Sequence, residues 1–257
     1  MDQAVLRVED LSAGYGSRVI LHDLNFSIRR GEVFVIMGVS GCGKSTLLRH
    51  LIGLQSPLAG RVLLQGEDFW ARDPEARAAL QRHFGVLYQS GALWSGMTLR
   101  ENICLPLAAY HPYLSQAELI ELAALKLALV GLAGCDELYP AELSGGMRKR
   151  AGLARALALD PEILFFDEPS AGLDPLNCQA LDELILQLRD SLGASIVLVT
   201  HELPSIHAVA DTCLFLDHQS RTQIALGPLA HLLDECPHPT VQRFLRRGVS
   251  PPKESSP

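Results

Sequence analysis

No run of the sequence approaches the roughly 18 uninterrupted apolar residues that a transmembrane helix needs. The most apolar stretch, Leu119 to Ala133, is broken by Glu121, Lys126 and Gly131. The opening MDQAVLRVED carries early acids and no apolar centre, which excludes a signal peptide. Positive charge is also scarce: 22 Lys and Arg face 29 Asp and Glu, a formal net charge of −7. The balance disfavours a protein that holds nucleic acid through bulk positive charge; a local basic stripe stays open, but no nucleic-acid partner is expected. The cysteines Cys42, Cys104, Cys135, Cys178, Cys213 and Cys236 form no C-x-x-C and no Cys/His pair at zinc-ligand spacing. They read as reduced thiols acting as small hydrophobes. Aromatics are few at 6%, yet 48% of the 257 residues are hydrophobic, too many for a disordered chain. A soluble, intracellular chain with a substantial core is expected.

Runs rich in β-branched residues at Val5–Val8, Val19–Leu21 and Val33–Met37 predict strands. The third leads straight into GVSGCGKST and a helical pattern of Leu47, Leu48, Leu51 and Ile52 that stops at Gly53. Val62–Leu64 and Gly85–Tyr88 predict two more strands. From Thr98 to Ala158 the pattern is helical, and Thr98 with Glu101 and Ser115 with Glu118 have capping-box spacing. Pro106, Pro112 and Pro140 are expected to divide this region into short pieces. Strands return at Ile163–Phe166 and Ile196–Val199, on either side of a helix over Pro175–Leu192 with Asp174 as its N-cap. Neither late strand alternates, which predicts burial of both faces in a parallel sheet. The Pro/Ser-rich tail, Ser250–Pro257, is expected to be disordered.

Gly38–Thr46 fits G-x-x-x-x-G-K-[ST] between a strand and a helix, the context that makes this pattern a phosphate site. Backbone N–H groups through Gly38, Ser40, Gly41, Cys42 and Gly43 would point inward at phosphate, with the helix N-terminus adding positive dipole. Lys44 would reach the β- and γ-phosphates, Ser45 would coordinate Mg²⁺, and Thr46 completes the motif. The same dipole is expected to lower the pKa of the Cys42 thiol. A second apolar strand, ILFFDEP, ends in Asp167, suited to a water-mediated Mg²⁺ contact, and Glu168, placed to orient or deprotonate an attacking water. Between them LSGGM, Leu143–Met147, opens a helix with another anion-binding N-terminus and is followed by Arg148, Lys149 and Arg150.

In this order and spacing the motifs resemble those of ABC-transporter ATPases, and the resemblance covers Val5 to about Leu245. It implies an α/β P-loop NTPase fold: a mainly parallel sheet, an N-terminal antiparallel β region and an inserted α-helical subdomain. A single domain over 1–248 is expected, with a RecA-like core at about 1–90 and 159–235. The helical subdomain would span about 91–158 and a short C-terminal helical segment about 236–248, leaving 249–257 as a disordered tail. Carried onto this sequence, the family pattern makes Tyr15 the aromatic that stacks on adenine and Gln89 the sensor of Mg²⁺ and water. His201 would contact the γ-phosphate, and Ala171–Asp174 matches the loop that follows the catalytic strand. Ser144, Gly145 and Gly146 would touch the γ-phosphate of ATP held by a second copy, in a head-to-tail dimer. The catalytic set is then Glu168, His201, Gln89 and Lys44, with ATP and Mg²⁺ as cofactors and Ser45, Gln89 and Asp167 at the metal.

Finer features are similar to Mla/Mce-type phospholipid transporters: Met147 followed by RKR, the stretch Tyr88–Leu107, and HPTVQRFLRRG at His238–Gly248. That likeness implies integral membrane permease subunits, an MCE-domain lipid-binding protein, a small cytoplasmic regulatory subunit and a place on the cytoplasmic face of a bacterial inner membrane. Trp94 and Leu93 are expected at the permease interface, and Leu99, Ile103 and Leu105 in the core. Arg243, Arg246 and Arg247 fit either a solvated basic face or a partner contact. The same motor with another cargo, an amino acid importer or drug-type exporter, stays open. So does a nucleotide-switched scaffold, which Glu168 disfavours.

Overall fold

Every residue of VFVIM, Val33–Met37, is buried, and so is every residue of SIVLV, Ser195–Val199. Strands covered on both faces need no polar side, which is why their sequences do not alternate. The computed structural model describes residues 4–246. Arg247, Gly248 and the expected tail at 249–257 lie outside the described residues.

In chain order, β1 (Ala4–Tyr15) and β2 (Arg18–Arg29) form a long antiparallel hairpin. β3 (Val33–Met37) ends at the phosphate-loop motif, and α1 (Lys44–Leu51) follows it. Then come β4 (Ala59–Leu64), β5 (Glu67–Asp68), α2 (Pro74–Gln81) and β6 (Phe84–Leu87). The helical stretch contains α3 (Leu99–Tyr110), α4 (Gln116–Leu129) and α5 (Gly145–Ala156). β7 (Ile163–Asp167), α6 (Pro175–Leu192), β8 (Ser195–Val199), α7 (Leu203–Val209) and β9 (Thr212–Leu216) complete the second half of the sheet. β10 (Gln223–Pro228), α8 (Leu229–Asp234) and α9 (Pro239–Leu245) close the described chain.

The described strands form an antiparallel sheet in the order β2-β1-β4-β5 and a six-stranded sheet in the order β10-β9-β3-β8-β7-β6. In the larger sheet only the edge pair β10–β9 is antiparallel. The period-two geometry of its strands sorts side chains into two cores. Val33, Val35 and Met37 join Leu164, Phe166, Ile196 and Leu198 under the later helices. Phe34 and Ile36 join Ile163, Phe165, Val197 and Val199 against α1 and the antiparallel sheet.

The expected caps are present. Thr98 accepts from Glu101 N–H at 3.2 Å and Ser115 from Glu118 N–H at 3.3 Å, and both glutamates reach back to complete capping boxes. Asp174 caps α6 through Asn177 N–H at 3.0 Å, with Pro175 at the first helical position.

The expectation for Pro106 is corrected. It lies inside α3, which continues to Tyr110. A proline there removes one donor and ordinarily costs about 3 kcal/mol, but three buried neighbours hold the helix together. Ile103 and Leu107 are buried on either side. Asn102, fully buried, donates to the carbonyls of Trp94, Met97 and Thr98 and accepts from Trp94 N–H. Leu105 is also corrected: Leu99 and Ile103 are core, but Leu105 is 44% exposed because it points away from their face of α3. Leu93, expected at an interface, is half-buried against the larger core, whereas Trp94 is 60% exposed.

Candidate functional site

Parallel strands end on one edge, and register decides which residues meet there. Ile36 of β3 and Asp167 of β7 both pair with Val199 of β8. The residues that follow each strand, Gly38, Glu168 and His201, therefore leave the sheet side by side.

The loop after β3 must lie close to β9. Gly38 has φ 150°, and a Cβ there would stand 2.5 Å from the Leu216 carbonyl oxygen and 2.8 Å from Cys42 Sγ. Val39, Ser40 and Gly41 form the exposed tip, and Gly43 is the N-cap of α1 with no acid in the helix's first turn. That leaves the positive end of α1 free for an anion. Lys44 is buried and folds back, its Nζ donating to Gly38 O at 3.0 Å and Val39 O at 3.4 Å. Ser45 Oγ donates to Asp167 Oδ1 at 3.0 Å, and Thr46 follows on the half-buried side of α1. Burial raises the pKa of Asp167, and the Ser45 hydroxyl and nearby Lys44 and Arg49 pull it back only in part. A desolvated carboxylate beside a hydroxyl suits a hard divalent cation that retains water and phosphate ligands.

Glu168 is held in a left-handed conformation, φ 48°, a strained state for a residue with a side chain. Its N–H donates to Val199 O at 2.9 Å, so the strand edge fixes the strained residue. Both carboxylate oxygens lie 2.9 Å from His201 Nδ1, and Oε1 lies 3.7 Å from Lys44 Nζ. The structure thus brings together Lys44, Ser45, Asp167, Glu168 and His201.

Tyr15 ends β1, is 41% exposed, and accepts a hydrogen bond from Arg49 of α1 at 2.9 Å. Gln89 follows β6 with an exposed side chain, and its backbone oxygen accepts from Lys149 Nζ. Ser144 caps α5 through Met147 N–H at 3.2 Å, and it and Gly145 are exposed. Gly146 is buried against α6, where a Cβ would come 2.7 Å from Asn177 Oδ1. These three open a helix that packs on β6, α3 and α4 instead of joining the sheet edge. Sequence reasoning missed Arg49 and Lys149. Lys149 had one signal, its spacing of three from Gly152 and six from Arg155 along one helical face.

Cys42 departs from expectation. The helix dipole favours its thiolate, but the side chain is 3% exposed and burial raises its pKa, outweighing the pull of Lys44. Maleimide at neutral pH is expected to label Cys42 at least about tenfold more slowly in the folded chain than in the denatured one. Peptide mass spectrometry measures this, and equal rates would contradict the burial argument.

A loop wrapped on a helix N-terminus, a buried lysine and a Ser–Asp pair at the ends of parallel strands define a P-loop nucleoside triphosphatase. A profile of the ABC transporter family matches residues 21–171, and the chain belongs to that family. It is 40% identical to the probable ribonucleotide transport ATP-binding protein Mkl of Mycobacterium tuberculosis over 249 residues, 96% of this chain and 68% of the relative. It is 37% identical to the intermembrane phospholipid transport system ATP-binding protein MlaF of Escherichia coli over 248 residues, 95% of this chain and 91% of the relative. Among solved structures it is similar to the dimeric cassette MJ0796 in a post-hydrolysis state bound to ADP and Pi. That likeness has a TM-score of 0.78 and 27% identity, covering 87% of this chain and 98% of that one. The chain is accordingly an ATP-binding and ATP-hydrolysing subunit of an ABC transporter. Among the described residues no helix is long and apolar enough to cross a membrane.

Proposed function

We propose that this ATPase drives phospholipid transport across a bacterial envelope, working from the cytoplasmic face of the inner membrane. The linked cluster Ser45–Asp167 and Lys44–Glu168–His201 at one sheet edge carries the catalytic part of this reading. The loop Gly38–Thr46 cradles the triphosphate, with Ser40, Gly41, Cys42 and Gly43 offering backbone N–H groups, and Tyr15 receives the adenine. Ser45, Asp167 and Gln89 would hold Mg²⁺, which would supply positive charge to offset that of the triphosphate. Glu168 takes the proton of the attacking water while His201, bonded to it through Nδ1, keeps the carboxylate aimed. Lys44 leaves the carbonyls of Gly38 and Val39 for the phosphates.

Ser144, Gly145 and Gly146 serve the other site of the dimer: the exposed N-terminus of α5 offers an anion site away from its own chain's phosphate loop. The same reading divides the chain into a core at about 1–90 and 159–235 and a helical subdomain at about 91–158.

A groove of about 340 Å³ lined by Tyr88, Trp94, Leu105, Pro106, Arg155 and Leu159 is the docking place for the permease. Its apolar walls and two exposed large side chains suit a short amphipathic helix. The likeness to MlaF supports phospholipid as cargo, with an MCE-domain protein and a small regulatory subunit as further partners. Trp94→Glu with Leu105→Glu is expected to preserve ATP hydrolysis by the isolated chain. In liposomes holding the complete complex, the same change should cut ATP-driven transfer of labelled phospholipid by about tenfold or more, as loss of an interface hot spot does. Wild-type transfer by the variant would refute the docking site. A complex that moves amino acids but no phospholipid would refute the cargo.

A further inference from the structure

One face of α5 lies along the segment that contains Gln89. Lys149 Nζ donates to Gln89 O, and Arg155 Nη1 donates to Ala92 O. Between them the backbones meet directly: a Cβ on Gly152 would stand 2.7 Å from Gly91 O and 2.9 Å from Gly91 Cα. Lys149, Gly152 and Arg155 are spaced by three, so they share a face. Lys149 also reaches across to the Glu168 carbonyl oxygen at 3.5 Å. Lys149 is only 7% exposed, and its ammonium sits between two catalytic segments that follow different strands.

We propose that Lys149 is a positioning residue that ties the backbones of Gln89 and Glu168 to α5, and through that helix to Ser144–Gly146. Five residues of helix, about 7.5 Å, separate Ser144 from Lys149. A shift of α5 as Ser144 and Gly145 grip the partner's nucleotide is thereby felt at the water-activating carboxylate of the helix's own chain. Gly152 and Arg155 extend the same face toward the groove that Arg155 lines together with Trp94 and Leu105. One rigid helix face thus joins both nucleotide sites to the groove. This inference rests on the dimer and the site roles proposed above.

The test is the ATPase kinetics of the full chain in its membrane complex. Lys149→Met keeps the aliphatic stem and removes the ammonium. It should lower kcat roughly tenfold while KM for ATP changes less than about threefold, because the tie acts on the reacting geometry and not on nucleotide binding. The Hill coefficient for ATP should fall toward one. Lys149→Arg, which restores donors on a similar stem, should recover most of kcat and of the cooperativity. A Lys149→Met enzyme with wild-type kcat and Hill coefficient would overturn the proposal. So would a variant whose KM for ATP rises in step with the loss in kcat, since Lys149 would then support binding alone. A Lys44→Ala control separates the two readings: normal turnover there removes the phosphate-site assignment itself, whatever Lys149→Met shows.

Discussion

Lys44→Ala is expected to fold, and to hydrolyse ATP about a thousandfold more slowly than the wild type, ~4 kcal/mol of lost transition-state stabilisation. The ammonium is buried and already desolvated, so its charge acts on phosphate oxygens in a low-dielectric setting. Nothing nearby can replace it. Arg49 is engaged with Tyr15, and Lys149 is held by the carbonyls of Gln89 and Glu168. The cost in stability should be much smaller. The lost bonds run to Gly38 O and Val39 O on a loop whose tip is open to water, and each such bond is worth about 1 kcal/mol net. A fall in Tm of no more than about 5 °C is expected, since ~2 kcal/mol shifts a domain of this size by a few degrees. Phosphate-release kinetics and a thermal melt measure the two halves of the claim. Near-normal turnover would remove Lys44 from the site, and a collapsed melt would make the loss of activity uninformative about chemistry.

Features that depend on a few adjacent residues could be read from the sequence. The loop Gly38–Thr46, the capping boxes at Thr98 and Ser115 and the Asp174–Pro175 start of α6 all appear where local chemistry places them. The non-alternating strands β7 and β8 correctly foretold a sheet covered on both faces. What was not legible depends on contacts distant in sequence. Pro106 should break a helix, and does not, because Asn102 and the core beneath Ile103 hold α3 together. Leu105 reads as core by composition, yet its orientation on α3 puts it outside. Cys42 shows two effects of opposite sign on one thiol, and only the fold reveals that burial is the larger. The meeting of Ser45 with Asp167 spans 122 positions and that of His201 with Glu168 spans 33. Family resemblance could pair these residues, but their geometry follows from the common register of β3 and β7 with Val199. Lys149 looked like one member of a basic run; its burial and its carbonyl partners come from the packing of α5 on β6.

Glu168→Gln should bind ATP, stop at the closed dimer and hydrolyse it between about a hundredfold and ten thousandfold more slowly, the range for loss of a general base. The substitution keeps the shape of the side chain and the backbone N–H bond to Val199 O, so the left-handed turn at this position should survive. An amide can still meet His201 Nδ1, and it no longer repels the γ-phosphate as a carboxylate 3.7 Å from Lys44 does. ATP binding is therefore preserved or strengthened while the proton acceptor is gone. The consequence for assembly follows from the split site. Each γ-phosphate would be gripped by Lys44 of one copy and by Ser144 and Gly145 of the other, with charge-assisted bonds worth about 1.5–3 kcal/mol apiece. In the proposed cycle hydrolysis would remove that shared group and open the dimer, and a thousandfold slower reaction would lengthen the closed state in proportion. Light scattering of the full chain with ATP and Mg²⁺, repeated on the complex with its permease, should show the variant as a stable ATP-bound pair where the wild type cycles. A Glu168→Gln chain that binds ATP yet never pairs in either setting would break the argument at its joint, the reading of Ser144–Gly146 as half of a neighbour's site.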